Sequence, residues 1–316
     1  MSNYCLLSSL QFSYPPLSAY EFDRFRKDVE IQKNLDNSCL YIIARRPLIQ
    51  FCDYSLNSDE RTISFNLFRK DVNYKLSCKF YVDSYEEFRN RNFKVLFGSF
   101  TKDSSKTHGL QFIDFETHKP FHWFNAEKFL YSVSHKIFKA DIKGKLLDFL
   151  TFEVLYIGKC TDEPISKRFN HHHALQEILI TENIITEDYQ NSHELIILPF
   201  EYMENKLFNI DDNINYIYSD SEQYKYIKIS DKTIAIDEEK ALIKCLNPKY
   251  NNVKYKSYPK SSDGLFNQNI SIINYLIGED LKLKYTDGLF IGNTNIYKSP
   301  ISRIVVQENA VTVLNK

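Results

Sequence analysis

The chain has 316 residues, 40 basic and 41 acidic side chains, a net charge of −1, and 43% hydrophobic against 26% charged residues. That is room for two folded domains, and the neutral balance argues against a protein that coats nucleic acid non-specifically, which needs a strong positive field. Six cysteines without a Cys-x-x-Cys pair exclude a zinc ribbon or thioredoxin-like motif and read as reduced thiols of a cytoplasmic protein, and no apolar run reaches the roughly 18 residues of a membrane span, so no membrane partner is expected.

In chain order, the first twenty residues lack a basic n-region and are not expected to be a signal peptide. Pro15-Pro16 breaks any early helix. Residues 19–35 mix charges with Phe, Val, Ile and Leu near helical spacing and predict one helix. Residues 38–56 predict strand interrupted at Pro47. From 61 to 135, alternating runs such as RTISFNLFRK, YKLSCKFYV, FKVLFGSF and HGLQFIDF predict strands between turn-like segments, and HWFNAEKFLYSVSHKIFKADI predicts a helix and a strand. Residues 1–135 therefore read as a β-rich or α+β domain, suited to recognition or to contact with a protein partner or a second copy; RNRNFK (89–94) is a candidate basic patch within it.

Residues 136–256 predict strand (152–158), loop, helix (165–183), strand (193–202) and helix (234–247), closed by Pro248 and a KYNN turn. Residues 257–316 carry turn signals between short β-type runs and read as a C-terminal extension.

The chemistry concentrates in the middle unit. A strand ending Tyr156-Ile157-Gly158 leaves a phenol at its end, beside a glycine that admits close backbone approach. Arg168 and His172, four apart on the predicted helix, share one face; guanidinium beside imidazole suits phosphate chemistry. Glu239 precedes Leu242-Ile243 on the next helix, at the edge of its buried stripe, where a carboxylate can hold Mg²⁺ or Mn²⁺ together with substrate phosphate. Asp237, Glu238 and Glu239 also read as an acidic helix start. Asn251 can fix the closing loop, and Lys254 and Lys256, interleaved with tyrosines, can contact a nucleic-acid backbone or serve as a solvated connector. The run His171-His172-His173 does not predict zinc, because neighbouring helical residues point about 100° apart.

Together, Tyr156-Ile157-Gly158, Arg168, the Glu239-Lys240-Ala241-Leu242-Ile243 run and Pro248-Lys249-Tyr250-Asn251 resemble the GIY-YIG nuclease family over about a third of the chain. The resemblance implies an α+β fold, a small three-stranded antiparallel sheet flanked by helices, with a β-rich N-terminal domain and a short β-type C-terminal region beside it. It implies a metal-dependent endonuclease that hydrolyses phosphodiester bonds, of DNA rather than RNA, with one Mg²⁺ or Mn²⁺ on Glu239. Arg168 would stabilise the phosphate, and Tyr156 with His172 or Lys159 would activate water. Gly158 and Asn251 would support the site. Such domains occur in restriction, repair, mobile-element and phage-defence proteins. The family's Gly-Ile-Tyr, which belongs about ten residues before Tyr156, has no counterpart there. That gap keeps two alternatives open: a non-catalytic nucleic-acid- or protein-binding module on a degenerate form of this fold, and an unrelated protein in which the motifs lie apart.

Overall fold

The computed structural model describes residues 4–25, 27–98, 106–169, 172–182, 192–209, 229–260, 264–268, 270–307 and 310–315. The chain opens with β1 (Tyr4–Phe12), a short β2 (Leu17–Ser18), helices α1 (Ala19–Phe25) and α2 (Val29–Leu35), and β3 (Leu40–Pro47). The single helix expected over 19–35 is two, because Asp28 stops the first and caps the second, its Oδ1 accepting from the Glu30 and Ile31 amides.

After β3 come β4 (Ile49–Asn57), β5 (Thr62–Arg69), β6 (Leu76–Tyr81), β7 (Phe93–Gly98), β8 (Lys106–Thr107), β9 (Gly109–Asp114), β10 (Pro120–Phe124), α3 (Ala126–Ser134), β11 (Ala140–Lys143) and α4 (Leu146–Phe149). These strands make a five-stranded sheet, ordered β11-β6-β5-β4-β8, and a three-stranded sheet, β10-β9-β7. A cluster of phenylalanines, among them Phe80, Phe88, Phe112, Phe124 and Phe129, fills the space between them with edge-to-face rings.

The chain then returns through β12 (Thr151–Lys159), α5 (Ile165–Arg168), α6 (His173–Thr181), β13 (His193–Asn209), α7 (Asp231–Leu246), β14 (Ile270–Ile277), β15 (Leu281–Tyr285), β16 (Gly288–Gly292), β17 (Ser302–Gln307) and β18 (Ala310–Asn315). One ten-stranded mixed sheet runs β16-β15-β12-β3-β13-β1-β14-β17-β18, with β2 on β13. The expected small three-stranded sheet flanked by helices is thus incorrect: the protein is built mainly of strands in three sheets. Alternation along a sequence reports each strand, but not its partners. Here β12 takes β3 on one side and β15 on the other, from opposite ends of the chain. The expected boundaries at 135/136 and 256/257 do not divide the large sheet, which draws strands from all three segments.

Its central strands are covered on both faces, so β3 reads Leu-Tyr-Ile-Ile-Ala without polar alternation. Leu40, Ile42 and Ala44 enter the large core; Tyr41 and Ile43 enter a second core with Leu35, Leu155, Ile165, Ile178 and Tyr250. Helix α7 is buried nearly all round, including Asp237, Glu238, Glu239 and Lys240. It touches β12 near one end of the strand order and β17 and β18 at the other, and the Ile291 amide of β16 donates to Ser302 Oγ of β17 at 2.7 Å. The sheet therefore curls around the helix until its two ends meet. No helix among the described residues is long and apolar enough to cross a membrane.

Candidate active site

Strands β3 and β12 run antiparallel, with Gly158 opposite Tyr41 and Tyr156 opposite Ile43. The register slips between Val154 and Tyr156, so Leu155 is an extra residue in β12. This bulge puts Tyr156 on the same sheet face as Tyr41. The phenol of Tyr41 then spans Gly158, where a Cβ would overlap the hydroxyl and ring. Glycine is needed here for space, as the sequence suggested, and the occupant of that space is Tyr41.

Three side chains meet at the Tyr41 oxygen. His172 Nε2 lies 2.5 Å from it and Arg168 Nε donates to it at 3.1 Å. Tyr156 stands edge-on to His172, ring centroids 5.0 Å apart, and 6.0 Å from the Tyr41 ring. Protons can be assigned by elimination. The Leu175 amide donates to His172 Nδ1 at 2.9 Å. A neutral imidazole has one N–H, so its proton sits on Nε2 and points at Tyr41. Burial, then the Arg168 charge, lower His172 to about 4, which keeps the ring neutral near pH 7. The Tyr41 oxygen accepts from both neighbours, and its own hydrogen finds no acceptor among the described residues. Burial, and then Tyr156, hold this phenol well above its ordinary value, against the pull of Arg168. Burial opposes the Arg168 charge, but the Tyr41 oxygen outweighs it and keeps the guanidinium firmly protonated. Its two Nη nitrogens make no hydrogen bond among the described residues.

Arg168 and His172 do not share a helix. Helix α5 ends at Arg168, and His172 is the N-cap of α6, its imidazole replacing the usual Ser or Asp oxygen. They meet through Tyr41 instead. His173 is exposed, His171 lies outside the described residues, and no cluster of three or more His, Cys, Asp or Glu is placed to hold a metal among the described residues.

Glu239 approaches from α7. The helix begins at Asp231, capped by Ser230 Oγ on the Thr233 amide, so the three acids lie mid-helix and the reading of them as a helix start is incorrect. Each has a different fate. Asp237 accepts from the Tyr258 and Tyr275 hydroxyls, at 2.5 and 2.7 Å, and from the Leu265 amide. Glu238 is enclosed, and burial drives its carboxyl far above the ordinary range. Glu239 alone turns to the site, where Lys159 Nζ lies 3.6 Å from Oε2. Burial holds its pKa above the ordinary value, only partly offset by Lys159 and Arg168.

No known protein family, curated protein or solved structure matches this chain. The assignment of roles therefore rests on geometry. Asn251 binds β12 in both directions, Oδ1 accepting from the Ile157 amide at 2.9 Å and Nδ2 donating to its carbonyl at 2.8 Å. With the Tyr250 amide on the Leu155 carbonyl, the loop after α7 acts as a strand along the edge that β15 leaves open. Lys254 is spent on the Pro248 carbonyl of that loop, and Lys256, exposed, offers its own carbonyl to Lys244. Neither joins the Tyr41 cluster by any contact among the described residues. In the RNRNFK segment, Arg91 and Lys94 lie over Phe121 and Phe115, at 4.4 and 4.9 Å from the ring centroids.

Tyr41 was missed by sequence reading. Its one local sign is a tyrosine in an apolar run, Cys39-Leu40-Tyr41-Ile42, which says nothing of a partner, Tyr156, more than a hundred residues away. Also unread was the ion network behind the site, where Glu182 binds Arg45, Lys249 and the Tyr250 hydroxyl.

Proposed function

We propose that this site hydrolyses phosphodiester bonds in nucleic acid, DNA in the first instance, with one divalent cation. The observation that carries the reading is the oxygen of Tyr41, held by Arg168 and His172 across Gly158 and beside Tyr156. The catalytic reading is favoured over a non-catalytic binding module by this second tyrosine, which lies opposite Gly158 on the neighbouring strand.

Arg168 is anchored by Nε and presents its two Nη groups, a fork matched to two phosphate oxygens. Tyr156 and Tyr41 flank the position such a phosphate would take. His172 has both ring nitrogens engaged, so its role is to fix the Tyr41 oxygen rather than to accept a proton itself. Two donors on that oxygen fix its position, and its own hydrogen would be available to donate to a phosphate oxygen or to orient the attacking water. The buried Glu239 carboxylate, paired with the flexible Lys159 ammonium and within electrostatic reach of Arg168, fits Mg²⁺ or Mn²⁺ held by one protein carboxylate, waters and substrate phosphate. Such an ion would stabilise charge on the leaving oxygen.

The test is cleavage of plasmid, linear duplex and single-stranded substrates with Mg²⁺ or Mn²⁺. Wild type is expected to cut, and Glu239→Ala, Arg168→Ala and Tyr41→Phe to lose cutting while staying folded. An inactive wild type, or variants that cut as well as it does, overturns the reading.

A further inference from the structure

Glu239 is buried, and among the described residues Lys159 alone pairs with its carboxylate. Arg168 is near enough to act on it electrostatically but spends its Nε on Tyr41. The Lys159 contact is loose for an ion pair, 3.6 Å, on a flexible four-carbon stem with a quarter of the side chain exposed. Lys159 ends β12, directly after Gly158, and leads into a loop bearing Asp162, whose carboxylate also feels the Lys159 charge. Asp162 is open to solvent and paired with Lys232 at 2.8 Å. The ammonium thus pairs with a buried carboxylate and acts electrostatically on an exposed one three residues further along the chain.

We propose that Lys159 is a built-in substitute for the divalent cation: its ammonium holds Glu239 in the metal-free protein and withdraws toward Asp162 when the ion is bound. This rests on the reading of Glu239 as the metal ligand. A buried carboxylate cannot stay ionised without a partner, and an ammonium cannot share one carboxylate with a divalent cation without strong repulsion. Lys159 therefore keeps the site formed before the ion arrives and competes with the ion once it does. Affinity for free metal is held down, and substrate phosphate, which adds negative charge beside Glu239, tips the exchange. Metal and nucleic acid are then bound together rather than separately.

The experiment is Mn²⁺ titration of the full chain without nucleic acid, by calorimetry and by electron paramagnetic resonance of free Mn²⁺, on wild type, Lys159→Met, Lys159→Gln, Asp162→Asn and Glu239→Gln. Both Lys159 variants are expected to bind Mn²⁺ roughly tenfold or more tightly than wild type, and to gain more in melting temperature on adding it. Asp162→Asn, lacking the second site for the ammonium, binds more weakly. Equal or weaker binding in both Lys159 variants, with Glu239→Gln still abolishing it, overturns this inference and leaves the nuclease reading standing. Unchanged affinity in Asp162→Asn overturns the exchange. Undiminished binding by Glu239→Gln removes Glu239 as ligand, and both readings fall together.

Discussion

Tyr41 and Gly158 face each other across paired strands, and the phenol of one occupies the space a side chain on the other would need. Gly158→Ala should therefore act on chemistry more than on folding. The added methyl pushes the Tyr41 oxygen away from Arg168 and His172. We expect a stability loss of about 1–3 kcal/mol, the usual cost of overpacking, and cleavage reduced on the order of 100-fold. Urea unfolding and single-turnover rates measure the two. Intact activity would mean the Tyr41 contacts are dispensable.

Tyr41→Phe keeps the ring and removes the oxygen. The buried His172 Nε2–H and the Arg168 Nε–H lose their acceptor together. A cost of about 1–3 kcal/mol is expected for unpaired buried donors, with kcat down about 10²–10³-fold. Restoration of the rate in the double variant Tyr41→Phe, His172→Ala would contradict the role given to His172.

Asn251→Ala strips β12 of both partners at Ile157, leaving one amide and one carbonyl buried and unpaired. About 2–4 kcal/mol should be lost in chemical denaturation. Hydrogen exchange at the Ile157 amide should rise well above that of Ile43 on the neighbouring strand. Unchanged protection there would show that the loop does not hold the strand.

Stability should fall as pH rises through neutrality, for two separate reasons. Burial alone would lower His135, but its bond to Glu279 and the Tyr131 carbonyl raise it above its ordinary value. A raised histidine contributes fully below its unfolded value of about 6.5, and the contribution is lost as pH climbs through the folded value. Burial lifts Glu21 from 4.5 to about 7. Its folded form then holds a proton that the unfolded chain has released, so stability declines between those two pH values. Unfolding free energies from pH 4 to 9 for wild type, His135→Gln and Glu21→Gln should show each variant with a shallower fall in its own window. Parallel curves for all three would refute the assignment.

What sequence could show follows from the range of each interaction. Strands β5, β6, β9 and β12 announce themselves by alternation or by an apolar run, and Gly158 by its need for space. Arg168, His172 and Glu239 could be chosen because their functional groups suit phosphate and metal, and Tyr41 draws the first two together. Tyr41 itself could not be found, since an inserted pair of sheets separates it from β12 and no local pattern marks a long-range pairing. Sequence placed Glu239 at the edge of the buried stripe but could not show what becomes of Asp237 and Glu238. Their difference is set by where Tyr258, Tyr275 and Lys159 arrive in space. The break between Arg168 and His172 was hidden because a histidine N-cap is rare beside Ser or Asp.

The insertion between β3 and β12 has a temporal meaning. Tyr41 leaves the ribosome early, Tyr156 only after the segments that form two further sheets have been synthesised, and Glu239 and Asn251 later still. Pairings of such long sequence separation close late, because each must first overcome the entropy of a long loop. On the proposed function, the nascent chain cannot assemble the Tyr41–Arg168–Glu239 site until these late segments emerge.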